Sequence, residues 1–366
     1  MRKSIVFIFL LVFSLAKSQQ QTQNIIIITT DGFRWQEVFK GMDSSLANDK
    51  RYNQGDSSYI YKTYWNNDEK ERRKLLLSFF WNVIEKKGQL YGNRKAGCKV
   101  DNANRYWFSY PGYNEILTGY PDTAINKNSY PANPNVTVLE FLNKQPKLKG
   151  NVAVFGAWNA FDRIINEERS GIPVFSAFDA VGGKAPTGNE RLINAMNKDA
   201  HRPFGEAECL DVFTHYAAME YLKIRKPRVL YIAYGETDEW AHAGQYRSYL
   251  DAAHQFDAWL KEIWDFIQTD PQYKNKTTLF ITTDHGRGDI KKEDWMEHNK
   301  DYEGSQEMWF AVMGPDTPVR GELKFENTEQ FYQEQFAQTI AKLMGYTYTA
   351  SHPIGKEILY VLKMKK

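Results

Sequence analysis

Six residues stand at spacings that suit metal chemistry. Asp238 and His242 are four apart, so on a helical turn both side chains lie on one face and reach the same ion. Asp284 and His285 are adjacent, where the apolar run Leu279-Phe280-Ile281 stops on Thr282-Thr283 and gives way to Gly286. Asp31 ends a second run of the same kind, Ile25-Ile26-Ile27-Ile28-Thr29-Thr30, and His298 follows in Trp295-Met296-Glu297-His298. Three carboxylates and three imidazoles suffice for two adjacent divalent ions. Mixed oxygen and nitrogen ligation suits Zn²⁺ best, with Mn²⁺ the alternative. Two ions roughly 4 Å apart can clamp the attacking and leaving oxygens of an in-line displacement at phosphorus. Ser109, in Ser109-Tyr110-Pro111-Gly112, is the candidate nucleophile, because an ordinary serine hydroxyl needs such an ion to become reactive.

The elements that must position these groups are legible as strands and helices. A short apolar run bounded by turn residues reads as a buried strand, and in parallel sheets ligands bind beyond the carboxyl ends of the strands. The runs ending at Asp31 and Asp284 both close on Thr-Thr-Asp, so the two acids are expected in one crevice. A third strand, 228–234, leads into Asp238 and His242, and a long helix is expected over 246–268. Further strands are expected at 151–155, 172–178 and 308–313. Helices are expected from 33–39, over 68–87 as one amphipathic segment, at 136–142, 161–166 and 207–223, and over 328–344 as a closing helix. Pro111-Gly112 is expected to turn the chain after Ser109, with a helix from Asn114. Strands alternating with helices argue an α/β fold: a doubly wound, mostly parallel central sheet with helices on both faces. Residues 19–366 read as one domain, with about 40–105 inserted after the first strand and 43–68 polar and irregular.

Composition bounds the partners. The 366 residues are 42% hydrophobic and 15% aromatic, enough for a large core, which excludes a disordered chain. A net charge of +2 gives no field that would recruit nucleic acid. Residues 1–18 read as a signal peptide: Arg2-Lys3, an apolar stretch, then Ala16-Lys17-Ser18. That stretch is shorter than the roughly 20 apolar residues of a membrane span, so export to the periplasm or exterior is expected, with no span after processing. Cys98 and Cys209 are the only cysteines; an oxidising compartment would permit a bridge, but two cannot form a thiolate cluster, which leaves Asp and His to hold metal. Glu236 is expected behind His242 as its orienting acid, and Arg287 as a fork for substrate phosphate. His201, His215 and His254 lack ligand-spaced partners, and Trp35, Trp158 and Trp240 read as core. Nothing in the sequence bears on the oligomeric state.

The ordered set Asp31-Gly32, Ser109 with Pro111, Leu117-Thr118-Gly119, Asp238-x-x-x-His242, Asp284-His285-Gly286 and a later histidine resembles the alkaline phosphatase superfamily over about residues 24–345. That superfamily includes phosphatases, type I phosphodiesterases and nucleotide pyrophosphatases, sulfatases and cofactor-independent phosphoglycerate mutases. The resemblance implies that Asp31, Ser109, Asp284 and His285 hold one ion and that Asp238, His242 and His298 hold the other, with His352 the competitor for the last place. It further implies a small-molecule phosphate ester as substrate and a phosphoseryl intermediate. Sulfatase relatives carry an arginine where Tyr113 stands and another where Tyr120 stands. Phosphodiesterase relatives carry an asparagine where Gly112 stands, a role that Asn114 is expected to take. The mutase branch carries a large insertion that has no room here. The expected activity is therefore exported hydrolysis of phosphoric esters. The alternatives are a phosphodiesterase or nucleotide pyrophosphatase, then a sulfatase or mutase-like enzyme. From another class comes a binding module that keeps metals for stability alone.

Overall fold

The computed structural model describes residues 21–363, so the expected signal peptide lies outside the described residues. Among the described residues there are ten strands: β1 (Asn24–Thr30), β2 (Gln89–Tyr91), β3 (Cys98–Asp101), β4 (Val152–Gly156), β5 (Val174–Ser176), β6 (Val229–Tyr234), β7 (Thr277–Thr282), β8 (Phe310–Met313), β9 (Gly321–Glu322) and β10 (Glu329–Tyr332). Eight of them form one sheet in the order β5-β4-β6-β1-β7-β8-β2-β9, and β10 pairs with β3 in a small second sheet. The main sheet is parallel except where β8 runs against β7 and β2.

Strand periodicity explains why helices cover both faces. Ile26 and Ile28 of β1 pack into one hydrophobic core and Ile25 and Ile27 into another, all at most 1% exposed. Leu230 and Ile232 of β6 join the first core, and Val229 and Tyr231 the second. Alternate side chains therefore meet opposite helical layers, and each such isoleucine contributes about 1.5–3 kcal/mol of transfer free energy. The register pairs Thr30 with Tyr234 and Thr29 with Thr282. Consequently Asp31, Gly235 and Asp284 leave the sheet at one edge.

Several expectations differ from the structure. The helix expected over 68–87 is broken into Glu69–Leu76, a π-helical turn Phe80–Ile84 and Glu85–Lys87. Asp257 of the long Tyr246–Thr269 helix accepts the Phe79 and Phe80 amides at 2.6 and 3.0 Å, capping a second start that local pattern does not reveal. The closing helix is only Phe336–Leu343, because Glu329–Tyr332 pairs with Cys98–Asp101 instead. Ser109 is not separated from its helix by a turn: it is the first residue of Ser109–Thr118. Residues 43–68, expected to be irregular, contain the short helices Ser44–Ala47 and Ser57–Tyr64. An unanticipated helix, Gly188–Asp199, starts at a Thr187/Glu190 capping box. Cys98 and Cys209 are both free and buried, so they are not bridged. Among the described residues no helix is long and apolar enough to cross a membrane.

Candidate active site

At the carboxyl edge of the sheet, Asp31 continues the β1 ladder by donating its amide to Tyr234 O at 3.0 Å. Gly32 then turns the chain at φ +58°, and any side chain there would collide with Asp238 and Arg287. Its amide instead donates to Asp284 Oδ1 at 3.1 Å, tying the two strand ends together. After β6, the Glu236–His242 helix is started by Asp211, whose carboxylate accepts the Gly235 and Glu236 amides at 2.7 and 3.0 Å. Glu236 returns the bond by accepting the Asp211 amide at 2.9 Å and also accepts Trp240 Nε1 at 3.0 Å. The expectation that Glu236 orients His242 is therefore corrected: both of its oxygens are committed to the reciprocal cap and to Trp240.

Carboxylates and imidazoles then converge. His285 Nδ1 lies 2.8 Å from Gly286 O, which leaves Nε2 facing Asp31 Oδ1 at 3.1 Å and Asp284 Oδ2 at 3.4 Å. His242 Nε2 lies 3.1 Å from Asp238 Oδ2 and 2.9 Å from His298 Nε2. His298 Nε2 is 3.6 Å from Asp238 Oδ1, and its ring stacks on that of His285 at 4.0 Å. Donor atoms of Asp238, His242 and His298 lie within 4.8 Å of one another, as do those of Asp31, Asp238 and His285, so Asp238 belongs to both groups. Asp31 Oδ1 and Asp284 Oδ2 are buried without a hydrogen-bond partner. Each such orphan costs about 1–3 kcal/mol unless compensated, and a divalent cation is what this donor set would accept.

The charges respond to this crowding. Burial and the neighbouring acids raise the Asp31 and Asp284 pKa values. Burial would also raise that of Asp238, yet His242, Arg287 and His298 hold it well below the usual carboxylate range. Burial opposes protonation of His285, but Asp284, Asp31 and Asp238 outweigh it and lift its pKa to about 9. Burial beside that cation pushes His298 down to about 3. A bound cation would take the place of these protons.

Ser109 enters from the opposite side, its Oγ 3.5 Å from His285 Nε2. The helix it starts is buried along its whole length and packs closely on the strand ends. Tyr113, one turn on, donates its hydroxyl to Asp31 Oδ2 at 2.8 Å. Gly112 allows that approach, since a Cβ there would stand 2.5 Å from Asp284 O. Gly112→Ala is accordingly expected to destabilise the protein by about 1–3 kcal/mol, read as a lower urea midpoint; an unchanged midpoint would mean that the helix has slack. Glu115, fully buried, accepts the Ala103 and Asn104 amides at 2.8 Å each, and Asn104 Oδ1 accepts those of Tyr106 and Trp107. This buried acid therefore shapes the loop that delivers Ser109. Its pKa is raised to about 7 by burial, against the bonds it accepts.

The remaining candidates lie elsewhere or face inward. Asn114 donates to Tyr120 O at 2.8 Å and accepts from Asn133 Nδ2 at 3.1 Å, so its amide organises the end of its own helix. Arg287 is 1% exposed and does not offer an open fork. It pairs with Asp238, donates to Trp295 O at 2.6 Å and to Met296 O, and lies 3.3 Å from His242 Nδ1. His352 stacks on Tyr120 with ring centroids 5.4 Å apart, and its Nε2 is 3.1 Å from Val136 O, away from the cluster. His215 sits between Tyr234 and Glu262, and His254 Nδ1 is 2.8 Å from Leu76 O. Sequence reasoning missed Tyr113, Glu115 and Asp211. The i, i+4 spacing of Ser109 and Tyr113 was a usable signal; Glu115 and Asp211 had none, because both act on backbone amides of other segments.

Comparison with known proteins agrees with this architecture. The structure superposes on wild-type alkaline phosphatase PafA with a TM-score of 0.62 at 10% identity, covering 94% of this chain and 99% of that one. It superposes on BT1596, a 2-O GAG sulfatase, with a TM-score of 0.59 at 12% identity, covering 94% and 76%. Murine ectonucleotide pyrophosphatase/phosphodiesterase 5 gives 0.52 at 12% identity, covering 93% and 100%. Among curated proteins none matches the chain by sequence. The metalloenzyme superfamily model matches residues 212–308, the stretch that carries Asp238, His242, Asp284, His285 and His298. The chain thus has the alkaline phosphatase-like fold, and its residues 212–308 match the metalloenzyme superfamily model.

Proposed function

We propose that the protein is an exported, metal-dependent hydrolase of phosphoric esters that works through Ser109. The observation that carries this reading is the position of the Ser109 hydroxyl, 3.5 Å from His285 Nε2, beside two Asp/His groups that share Asp238. Asp31, Ser109, Asp284 and His285 would hold one divalent ion and Asp238, His242 and His298 the other, with Zn²⁺ the best match to the donor set. Bound there, such ions supply charge neutralisation of the phosphate oxygens and acidify the serine and water hydroxyls.

Ser109 Oγ attacks phosphorus in line, forming the Ser–O–P bond as the bond to the alcohol oxygen breaks on the far side, towards His298. Water then attacks the phosphoseryl group from that vacated side, returning the serine hydroxyl and releasing phosphate. Tyr113 fixes the Asp31 carboxylate from one side, and Arg287 fixes Asp238 from behind. A sulfatase reading has less support, since Tyr113 takes the place of the arginine that sulfatase relatives carry and spends its hydroxyl on Asp31.

Paired assays of 4-nitrophenyl phosphate, bis(4-nitrophenyl) phosphate and 4-nitrophenyl sulfate on the metallated protein test the assignment. Monoester turnover at least about 100-fold above that of the sulfate is expected, because a site built for one ester charge discriminates against another. Preference for the diester would move the assignment to phosphodiesterases, and inactivity on all three would favour a metal-stabilised binding module.

A further inference from the structure

The clefts of the molecule differ in the chemistry their walls can do. One of about 680 Å³, between Arg228, Lys147 and Tyr346, lies at the amino ends of the strands, away from every reactive group. Another, of about 380 Å³, is an apolar groove beside the exposed Leu192 and Met196, and no feature of the molecule says what would cover it. A third, of about 530 Å³, borders the candidate active site, with His298 in its wall. One of its walls is the loop just before Ser109, with Tyr106 and Phe108, and the other is the segment that begins at His298 and continues through Lys300 and Asp301.

This cleft is placed to receive the alcohol portion of a substrate. A phosphate seated between Ser109 and His298 directs its leaving oxygen away from the serine, as in-line displacement requires, and so towards this space. Its chemistry differs from that of the reaction centre. Tyr106 and Phe108 are half-buried, with ring centroids 6.0 Å apart at 50°, and the Tyr106 hydroxyl is pinned to Thr123 O at 2.5 Å. They form a fixed aromatic wall on which a planar ring can lie. Lys127 is exposed on the cleft and enters no ion pair among the described residues, while Lys300 pairs only with the neighbouring Asp301 at 2.8 Å. Arg105 lies over the Tyr106 ring, 5.4 Å from its centroid. Two lysines and one acid, Asp301, therefore line the cleft, above a centre lined with carboxylates.

We propose that this cleft selects phosphate esters whose alcohol carries an aromatic ring bearing a second anionic group. The inference rests on the phosphatase reading and adds to it the class of substrate: the ring lies against Tyr106 and Phe108, and the extra charge meets Lys127 and Lys300. Long-range attraction of this kind is strongest at low ionic strength.

The test compares wild type with the Lys127→Ala/Lys300→Ala double variant on 4-carboxyphenyl phosphate, 4-nitrophenyl phosphate and glycerol 2-phosphate. Neither lysine belongs to the catalytic machinery, so turnover of the last two esters should change by less than about 2-fold. For 4-carboxyphenyl phosphate the double variant should raise KM by about 10-fold at low salt, with a smaller difference at 0.5 M salt. Equal KM changes for all three esters, or none, would overturn the proposal while leaving the phosphatase reading intact. Calorimetric binding of 4-carboxyphenylphosphonate, which cannot be hydrolysed, separates the two claims. Wild-type binding that the double variant weakens, in a protein inactive on every ester, would refute the phosphatase reading and support the cleft.

Discussion

Replacing Ser109 by alanine should lower monoester turnover by at least about 10³-fold, equivalent to roughly 4 kcal/mol of lost transition-state stabilisation, while the protein remains folded and metal-loaded. The expectation of an intact fold has a structural basis. Ser109 is the first residue of its helix, where alanine is readily accommodated, and its hydroxyl makes one long contact, 3.5 Å to His285 Nε2. The residues that dock the helix, Gly112, Tyr113 and Glu115, are untouched. An effect on rate without an effect on stability is the signature of a group that acts on the substrate. Stopped-flow turnover, metal content and thermal unfolding of the same preparation separate the possibilities. Undiminished turnover with normal metal content would rule out Ser109 as nucleophile and leave attack by water as the mechanism.

Asp238→Asn should have the widest consequence of any single conservative change, because Asp238 is common to both groups of converging donors. Loss of this carboxylate is expected to weaken metal binding by more than the roughly 10–100-fold that follows loss of a partner lying behind a ligand. Dialysed protein should then retain clearly less metal than wild type by elemental analysis. A second effect concerns Arg287, whose buried guanidinium pairs with Asp238 and would lose its counter-charge. Breaking such a pair costs about 3–5 kcal/mol; the low end is expected here because Arg287 keeps its bonds to the Trp295 and Met296 carbonyls. The destabilisation should appear in metal-free protein, where ligand loss itself contributes nothing. Unchanged metal content would show that the two groups do not share Asp238. Unchanged metal-free stability would show that Arg287 holds its place without it.

Much of the candidate site was legible because it is local. Four isoleucines followed by Thr-Thr-Asp specify a buried strand and what lies at its end, and the i, i+4 spacing of Asp238 and His242 specifies a shared helical face. Segments whose conformation depends on distant partners were misread. The break after Leu76 needs Asp257, and β10 needs β3, so neither could appear in the hydrophobic pattern of its own segment. The same distinction separates the roles assigned to polar residues. Glu236 next to a metal-type motif invited an orienting role, but the partner that engages it is the amide of Asp211, 25 positions earlier. Arg287 beside Asp284-His285 invited a phosphate fork, but a buried guanidinium takes the nearest carboxylate, Asp238, 49 positions away in the chain.

Residue type and short-range spacing carry the kind of chemistry directly: carboxylates, imidazoles and a serine at the ends of strands in an α/β sheet. How these groups stand to one another follows from the folded chain. It brought His298 rather than His352 beside Asp238, turned Arg287 inward, and opened the cleft between the loop before Ser109 and the segment after His298. The physical reason is that such juxtapositions follow from the packing of segments far apart in the chain, and the free energy of that packing is not written in any one of them.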